Sequence, residues 1–176
     1  INVLNEKGIK ISDLSAIVGR GGILPPVQSG AYRVNDVMIN RLKYNPIVPH
    51  ASNLGALIAH AIAEPVGLTS YIYDSVAVDE MDDIARISGM PEIKRISLSH
   101  ALNSRAMAHK VAEKYGKAYK DMNFVVAHLG GGISLTAHRK GKMVDLVSDD
   151  EGPFSPERAG RVPCKKLIDL CFSGEY

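Results

Sequence analysis

The chain has 176 residues, 45% hydrophobic and 23% charged, with 21 Lys and Arg against 19 Asp and Glu for a formal charge of +2. That length suits one domain or parts of two, the composition is that of a globular protein, and the near-balanced charge argues against nucleic acid as the main partner. There is no run of eighteen apolar residues, so no transmembrane helix and no membrane partner is expected. The first residues, INVLNEKGIK, carry neither a signal-peptide core nor a starting methionine.

Residues 11–18, ISDLSAIV, run from a polar start into an apolar strand, which Gly19-Arg20-Gly21-Gly22 breaks and Pro25-Pro26 extends as a loop. Val34 to Tyr44 reads as a short helix. Ser52 or Asn53 can cap the next helix, whose apolar stripe is Leu57, Ile58, Ala61 and Ile62 and which Pro65 and Gly67 end. SYIYD (70–74) has the β-branched and aromatic content of a buried strand closed by an acid. A short acidic helix follows over Glu80–Ser88. Ser99 opens a long helix to Tyr115 with Ala101, Ala108, Val111, Ala112 and Tyr115 inward, ended by Gly116.

After that helix the pattern changes. NFVVAHL (123–129), ISLTAHR (133–139) and KMVDLV (142–147) read as a three-stranded meander, turned by Gly130-Gly131-Gly132 and Lys140-Gly141. A loop rich in Asp, Gly and Pro covers 148–163, and a helix runs from Lys165 to Phe172. The α/β alternation up to 116 followed by a meander places the best boundary near 117. Cys164 and Cys171, seven apart, do not have zinc spacing and read as reduced core thiols on one helix face, suited to a reducing cytosol.

Several motifs bear on chemistry. His128-Leu129-Gly130-Gly131-Gly132-Ile133-Ser134 sits between two apolar strands, where glycines let backbone approach a group such as a phosphate; a tight hairpin with spare glycines is the plainer reading. In Asp149-Asp150-Glu151-Gly152-Pro153-Phe154-Ser155-Pro156-Glu157-Arg158, paired prolines stiffen the loop and Arg158 offers a fork for phosphoryl or carboxylate oxygens; an internal Glu157–Arg158 pair is the alternative. His50 and Asn53 precede a helix start, where anions are favoured but caps are common. Asp74 ends an apolar strand, the edge at which open α/β sheets bind ligands, and suits a metal or a turn cap. His100 begins a helix and is followed by Asn103.

The runs AIVGRGGILPP, HASNLGALIA, YDSVAVDEMDDIARISGMPEIKRISLSHALN, VVAHLGGGISLTAH and EGPFSPERAG resemble butyrate kinase and the branched-chain fatty-acid kinases of the acetokinase family. The resemblance covers nearly the whole chain. It implies the ribonuclease H-like α/β fold of actin, sugar kinases and heat-shock chaperones, with nucleotide in the cleft of two such domains. Residues 1–116 would then be the C-terminal part of the first domain and 117–176 the start of the second. It implies reversible phosphoryl transfer from ATP to butanoate, giving butanoyl phosphate and ADP, with Mg²⁺, in a cytoplasmic homo-oligomer.

By the same resemblance, His128, Gly130, Gly131, Gly132 and Ser134 form a loop on the β- and γ-phosphates. Arg158 steadies the transferring phosphoryl group and Arg20 is the other catalytic arginine. His100 bonds the phosphoryl oxygens, Asp74 lies near the metal and the attacking carboxylate, and His50 with Asn53 lines the substrate side. Val76, Ala77 and Leu102 are candidates for an aliphatic acid pocket. Kinases for other short or branched acids, and a nucleotide-binding module without catalysis, remain as alternatives. The family also has an Asn- and Ser/Thr-rich phosphate loop earlier, and an adenosine segment and a magnesium-holding glutamate later. None of these is in this sequence, so a central fragment with little or no kinase activity of its own is expected. Strand edges left open by the lost leading hairpin would invite pairing with another chain.

Overall fold

The computed structural model describes residues 1–175. The chain divides into two compact units, residues 1–80 with 96–102 and residues 81–95 with 103–176. The meander onset near 117 lies inside the second unit. Among the described residues no helix is long and apolar enough to cross a membrane.

The first unit opens with helix α1 (Asn2–Glu6). The expected strand over 11–18 divides here. Ile11–Asp13 is a single 3-10 turn, in which Asp13 Oδ2 accepts the Lys10 N–H at 3.1 Å, and strand β1 is only Ile17–Arg20. Strand β2 (Ala31–Arg33), which no sequence pattern marks, precedes helix α2 (Asp36–Tyr44). Asn35 caps α2 by accepting the Met38 N–H at 2.9 Å, so the helix starts two residues later than its apolar pattern suggests. Helix α3 (Leu54–Ala63) and strand β3 (Ser70–Tyr73) follow. The sheet order is β1-β3-β2, with β3 parallel to β1 and antiparallel to β2. Ile72, at the centre of β3, packs in a core with Leu24, Val34, Leu42, Ala56 and Ala77.

Helix α3 meets β1 backbone to backbone. A Cβ on Gly19 would collide with the carbonyl of Gly55, and a Cβ on Gly55 with the carbonyl of Arg20. So close an approach admits only small side chains, and Ala56, Ala59 and Ala63 form the buried face. The stripe expected from hydropathy is therefore rotated: Ile58 is 54% exposed. Ala77, a candidate for the acid pocket, is spent on packing in this core.

In the second unit, residues expected as an acidic helix shrink to a 3-10 turn, Asp83–Arg86. Helix α4 (Ala101–Lys114), whose first two residues belong to the first unit, buries Ala101, Ser104, Arg105, Ala108 and Ala112, while Val111 is 40% and Tyr115 68% exposed, against expectation. The buried set follows one helical phase, i, i+3, i+4, i+7 and i+11; Val111 falls outside that arc, and Tyr115, though in phase, lies past the end of the helix. Strands β4 (Asn123–Leu129), β5 (Ile133–Arg139) and β6 (Lys142–Val147) form the antiparallel meander, with a bulge at Ala137/His138. Phe124 and Val126 of β4 pack on Ala108, Ala112 and Tyr119. Beneath them, buried His138 is fixed by the Tyr119 hydroxyl at Nδ1 (2.6 Å) and Thr136 Oγ1 at Nε2 (2.8 Å).

Helix α5 (Cys164–Cys171) has no buried residue. Both cysteines are exposed free thiols, not core thiols, because the face that carries them has nothing packed on it among the described residues.

Arg95 ties the 81–95 segment to β6 and to the acidic loop. It donates from Nη1 to Ala85 O (2.7 Å) and Asp145 Oδ1 (3.1 Å), from Nε to Glu151 Oε1 (3.3 Å), and from Nη2 to Leu146 O. Burial opposes its charge, but the hydrogen bonds and negative charge of Glu151 and Asp145 outweigh this and hold its pKa above the ordinary arginine value.

Two stability outcomes follow from these contacts. Gly55→Ala should cost about 1–3 kcal/mol by forcing α3 off β1, read as a lower urea midpoint at unchanged m-value. Arg95→Met should cost about 1–3 kcal/mol by leaving two carbonyls and two carboxylates without their shared donor, read in the same titration.

Candidate functional site

The glycine turn and the loop carrying Arg158 come together within the second unit. Ser155 and Arg158 close a tight turn, with Ser155 N–H donating to Arg158 O at 2.9 Å. That turn is fastened to one carbonyl. Gly131 O accepts from Ser155 Oγ at 2.6 Å and from Glu157 N–H at 3.0 Å. The Ser–Pro–Glu–Arg sequence is suited to this fastening. The serine hydroxyl makes one bond, the proline stiffens the turn, and the glutamate backbone makes the second.

Each glycine of the turn has its own close neighbour. A Cβ on Gly130 would lie 2.9 Å from His128 Nε2, one on Gly131 2.7 Å from the Glu157 carboxyl carbon, and one on Gly132 3.0 Å from Asp149 Oδ2. A side chain at any of the three would have to displace one of these side-chain ends, a crowding that a hairpin alone does not impose. The Asp149 carboxylate pairs with Arg158 Nε at 3.0 Å, while Arg158 Nη1 donates to Glu157 O at 2.9 Å. Adjacency in sequence suggests Glu157 as the side-chain partner of Arg158; the partner is Asp149.

His128 sits near the end of β4, opposite Ser134 on β5. Its Nδ1 is 2.8 Å from Asn103 Nδ2. An amide N–H can donate only to an unprotonated ring nitrogen, so this contact selects the tautomer with hydrogen on Nε2, the nitrogen nearest Gly130. In the sequence Asn103 stands out only as a neighbour of His100, and nothing in a linear spacing of 25 residues links it to His128. Ser134 is 1% exposed, with its side chain within the buried layer of the meander.

The remaining candidates lie in the first unit. Arg20 and Asp74 occupy the carboxyl ends of the parallel strands, Arg20 at the last position of β1, paired with Tyr73, and Asp74 directly after β3. This is the sheet edge at which α/β proteins bind ligands. Asp74 is 4% exposed and has φ of 40°, a conformation unfavourable for a non-glycine residue. It is held there by Gly30, whose N–H donates to Asp74 Oδ1 at 2.9 Å and whose carbonyl accepts the Asp74 N–H at 3.2 Å. Such enforced strain on a buried acid is typical of functional positions.

Asn53 is spent on the fold: Oδ1 accepts the Ile23 N–H at 2.9 Å and Nδ2 donates to Val48 O at 3.0 Å, pinning the loop after Arg20. His50 caps the turn Ala51–Asn53, its Nδ1 accepting the Ser52 N–H at 3.1 Å. That leaves hydrogen on Nε2 of an exposed ring. His100 is half-buried immediately before α4. Among the described residues no group of three His, Cys, Asp or Glu side chains gathers to hold a metal. A separate cavity of about 500 Å³, lined by residues including Arg86, Ile87, Met90 and Lys94, contains none of the candidates.

The histidine orientation is directly measurable. Nitrogen chemical shifts of His128 should report the Nε2–H tautomer in the native chain, and Asn103→Ala should move them towards a mixture of the two tautomers.

No family model matches the chain. Over 178 aligned residues it is 52% identical to a probable butyrate kinase of Clostridium botulinum (strain Eklund 17B / Type B), covering all of this chain and 50% of that one. It is 49% identical over the same length to butyrate kinase 2 of Clostridium acetobutylicum, again covering 50% of the relative. Among solved structures, an acetate kinase of Porphyromonas gingivalis superposes on 95% of the chain with a TM-score of 0.77 at 20% identity, using 45% of its own length. A propionate kinase of Francisella tularensis matches 99% of the chain with a TM-score of 0.72 at 18% identity, using 48% of its own. The chain therefore spans about half the length of the curated relatives it matches. It is homologous along its whole length to part of the butyrate kinases and has the corresponding portion of the acetokinase fold.

Proposed function

We propose that the protein carrying this sequence is a butyrate kinase, transferring the γ-phosphoryl group of ATP reversibly to butanoate. The observation that carries the reading is the fastening of the Ser155–Arg158 turn to Gly131, which sets a guanidinium beside a Cβ-free turn. Identity near 50% with butyrate kinases supports the choice of butanoate over other short acids.

Each group has a role its environment suits. In the second unit, the glycine turn offers backbone that phosphate oxygens can approach closely. Its Gly131 carbonyl, which would repel them, is already bonded to Ser155 and Glu157. Arg158 would neutralise charge on the transferring group, and the Nε2–H of His128 would donate to a phosphate oxygen. In the first unit, Arg20 and His100 would bind phosphoryl oxygens, and Asp74, oriented by Gly30, would face the metal side of the substrate. His50 would contact the carboxylate through Nε2–H, while Asn53 and Ser134 act by supporting the loops beside them.

Magnesium, when bound, would supply neutralisation of the phosphate charges, and Asp74 is the hard oxygen donor suited to it. The attacking carboxylate is ionised at neutral pH and needs no general base. The work left to the protein is positioning and charge stabilisation. A cytoplasmic location and a homo-oligomeric state accord with this reading.

The test is butanoate- and ATP-dependent formation of acyl phosphate, trapped as hydroxamate, by the full-length protein. Arg158→Ala should lower kcat by about a thousandfold, as loss of a phosphoryl-binding arginine does elsewhere. A kcat within a few-fold of wild type would remove Arg158 from the reaction. ATP binding without any acyl phosphate formation would favour the non-catalytic module.

A further inference from the structure

We infer that Asp149 is a positioning residue that aims the Arg158 guanidinium, an inference that rests on the reading of Arg158 as a phosphoryl-binding group. Arg158 lies in a loop and is 40% exposed at its side chain. A long side chain in such a place samples many rotamers, and fixing it costs entropy. Asp149 supplies the fixing. Its carboxylate sits 3.0 Å from Nε, on the stem side of the guanidinium. The Glu157 carbonyl takes a hydrogen from Nη1 at 2.9 Å. Neither contact uses Nη2, which would donate to a phosphoryl oxygen.

Asp149 is itself held. It lies in the turn after β6, where Glu151 and Gly152 N–H both donate to Ser148 O, at 3.2 and 3.0 Å. Glu151, in that turn, is gripped by Arg95. The carboxylate also abuts Gly132, so the ion pair stands at the glycine turn itself. Glu157, adjacent in sequence to Arg158, does not compete for the guanidinium, because its carboxyl group lies over Gly131.

The test compares Asp149→Ala, Asp149→Asn, Arg158→Ala and the Asp149→Ala/Arg158→Ala double variant of the full-length protein, by kcat, KM for each substrate and thermal midpoint. Asp149→Ala should lower kcat at least about tenfold with KM for the carboxylate near wild type. Asp149→Asn, which keeps an acceptor oxygen, should recover part of that loss and serves alone if the alanine variant does not fold. The double variant should be no slower than Arg158→Ala, because Asp149 acts only through that arginine. If Arg158→Ala is slow while both Asp149 variants keep wild-type kcat, the positioning role falls and the reading of Arg158 stands. A double variant much slower than Arg158→Ala overturns it likewise, by showing a separate role. If Arg158→Ala itself keeps wild-type kcat, the reading beneath it falls as well.

Discussion

The backbone carbonyl of Gly131 is the point on which the second unit's candidate site depends. It accepts from a hydroxyl and from an amide of the same four-residue turn, Ser155 to Arg158. Those two bonds bring residues some two dozen positions apart in sequence onto one another. The geometry is directional: an oxygen with two lone pairs receives two donors whose spacing the proline-containing turn sets. Once the turn is seated, a side chain at Gly131 would meet the Glu157 carboxyl group and have to displace it. The ion pair of Arg158 with Asp149 is a consequence of the same docking.

The first unit relies on a different kind of closeness. Gly19 and Gly55 let helix α3 rest on β1 with backbone against backbone. This fixes the carboxyl ends of β1 and β3, and with them Arg20 and Asp74. The strained backbone at Asp74 is maintained by a reciprocal pair of bonds with Gly30. Asn53 locks the loop beyond Arg20 with both ends of its carboxamide. Here too polar groups hold the local geometry, while Ile72 and its neighbours provide the burial that keeps the sheet folded.

The elements that are hard to read from sequence share a physical cause. Strand β2 has three residues and no alternation long enough to register as a pattern. On α3, large apolar residues weigh most in a periodicity argument, yet contact with glycine backbone selects the alanines. Helical phase puts the cysteines of α5 on an apolar face, and phase cannot tell whether anything lies against that face. Residue type and position suit Asn53 and His50 to a ligand, but the carboxamide of the first and one ring nitrogen of the second hold backbone instead.

Sequence by itself determined the α/β class, the long helix before the meander, the three strands and their glycine turn, and the likeness to butyrate kinases. These are local or linear properties: periodicity, turn chemistry and runs of identity survive without coordinates. Tertiary structure alone decided that Ser155 and Glu157 bind Gly131, that Asp149 rather than Glu157 pairs with Arg158, and that Asn103 sets the tautomer of His128. Each of these is a directional contact between residues that are not neighbours in the chain. Hydrogen bonds and ion pairs depend on angles and distances that residue type and spacing do not encode.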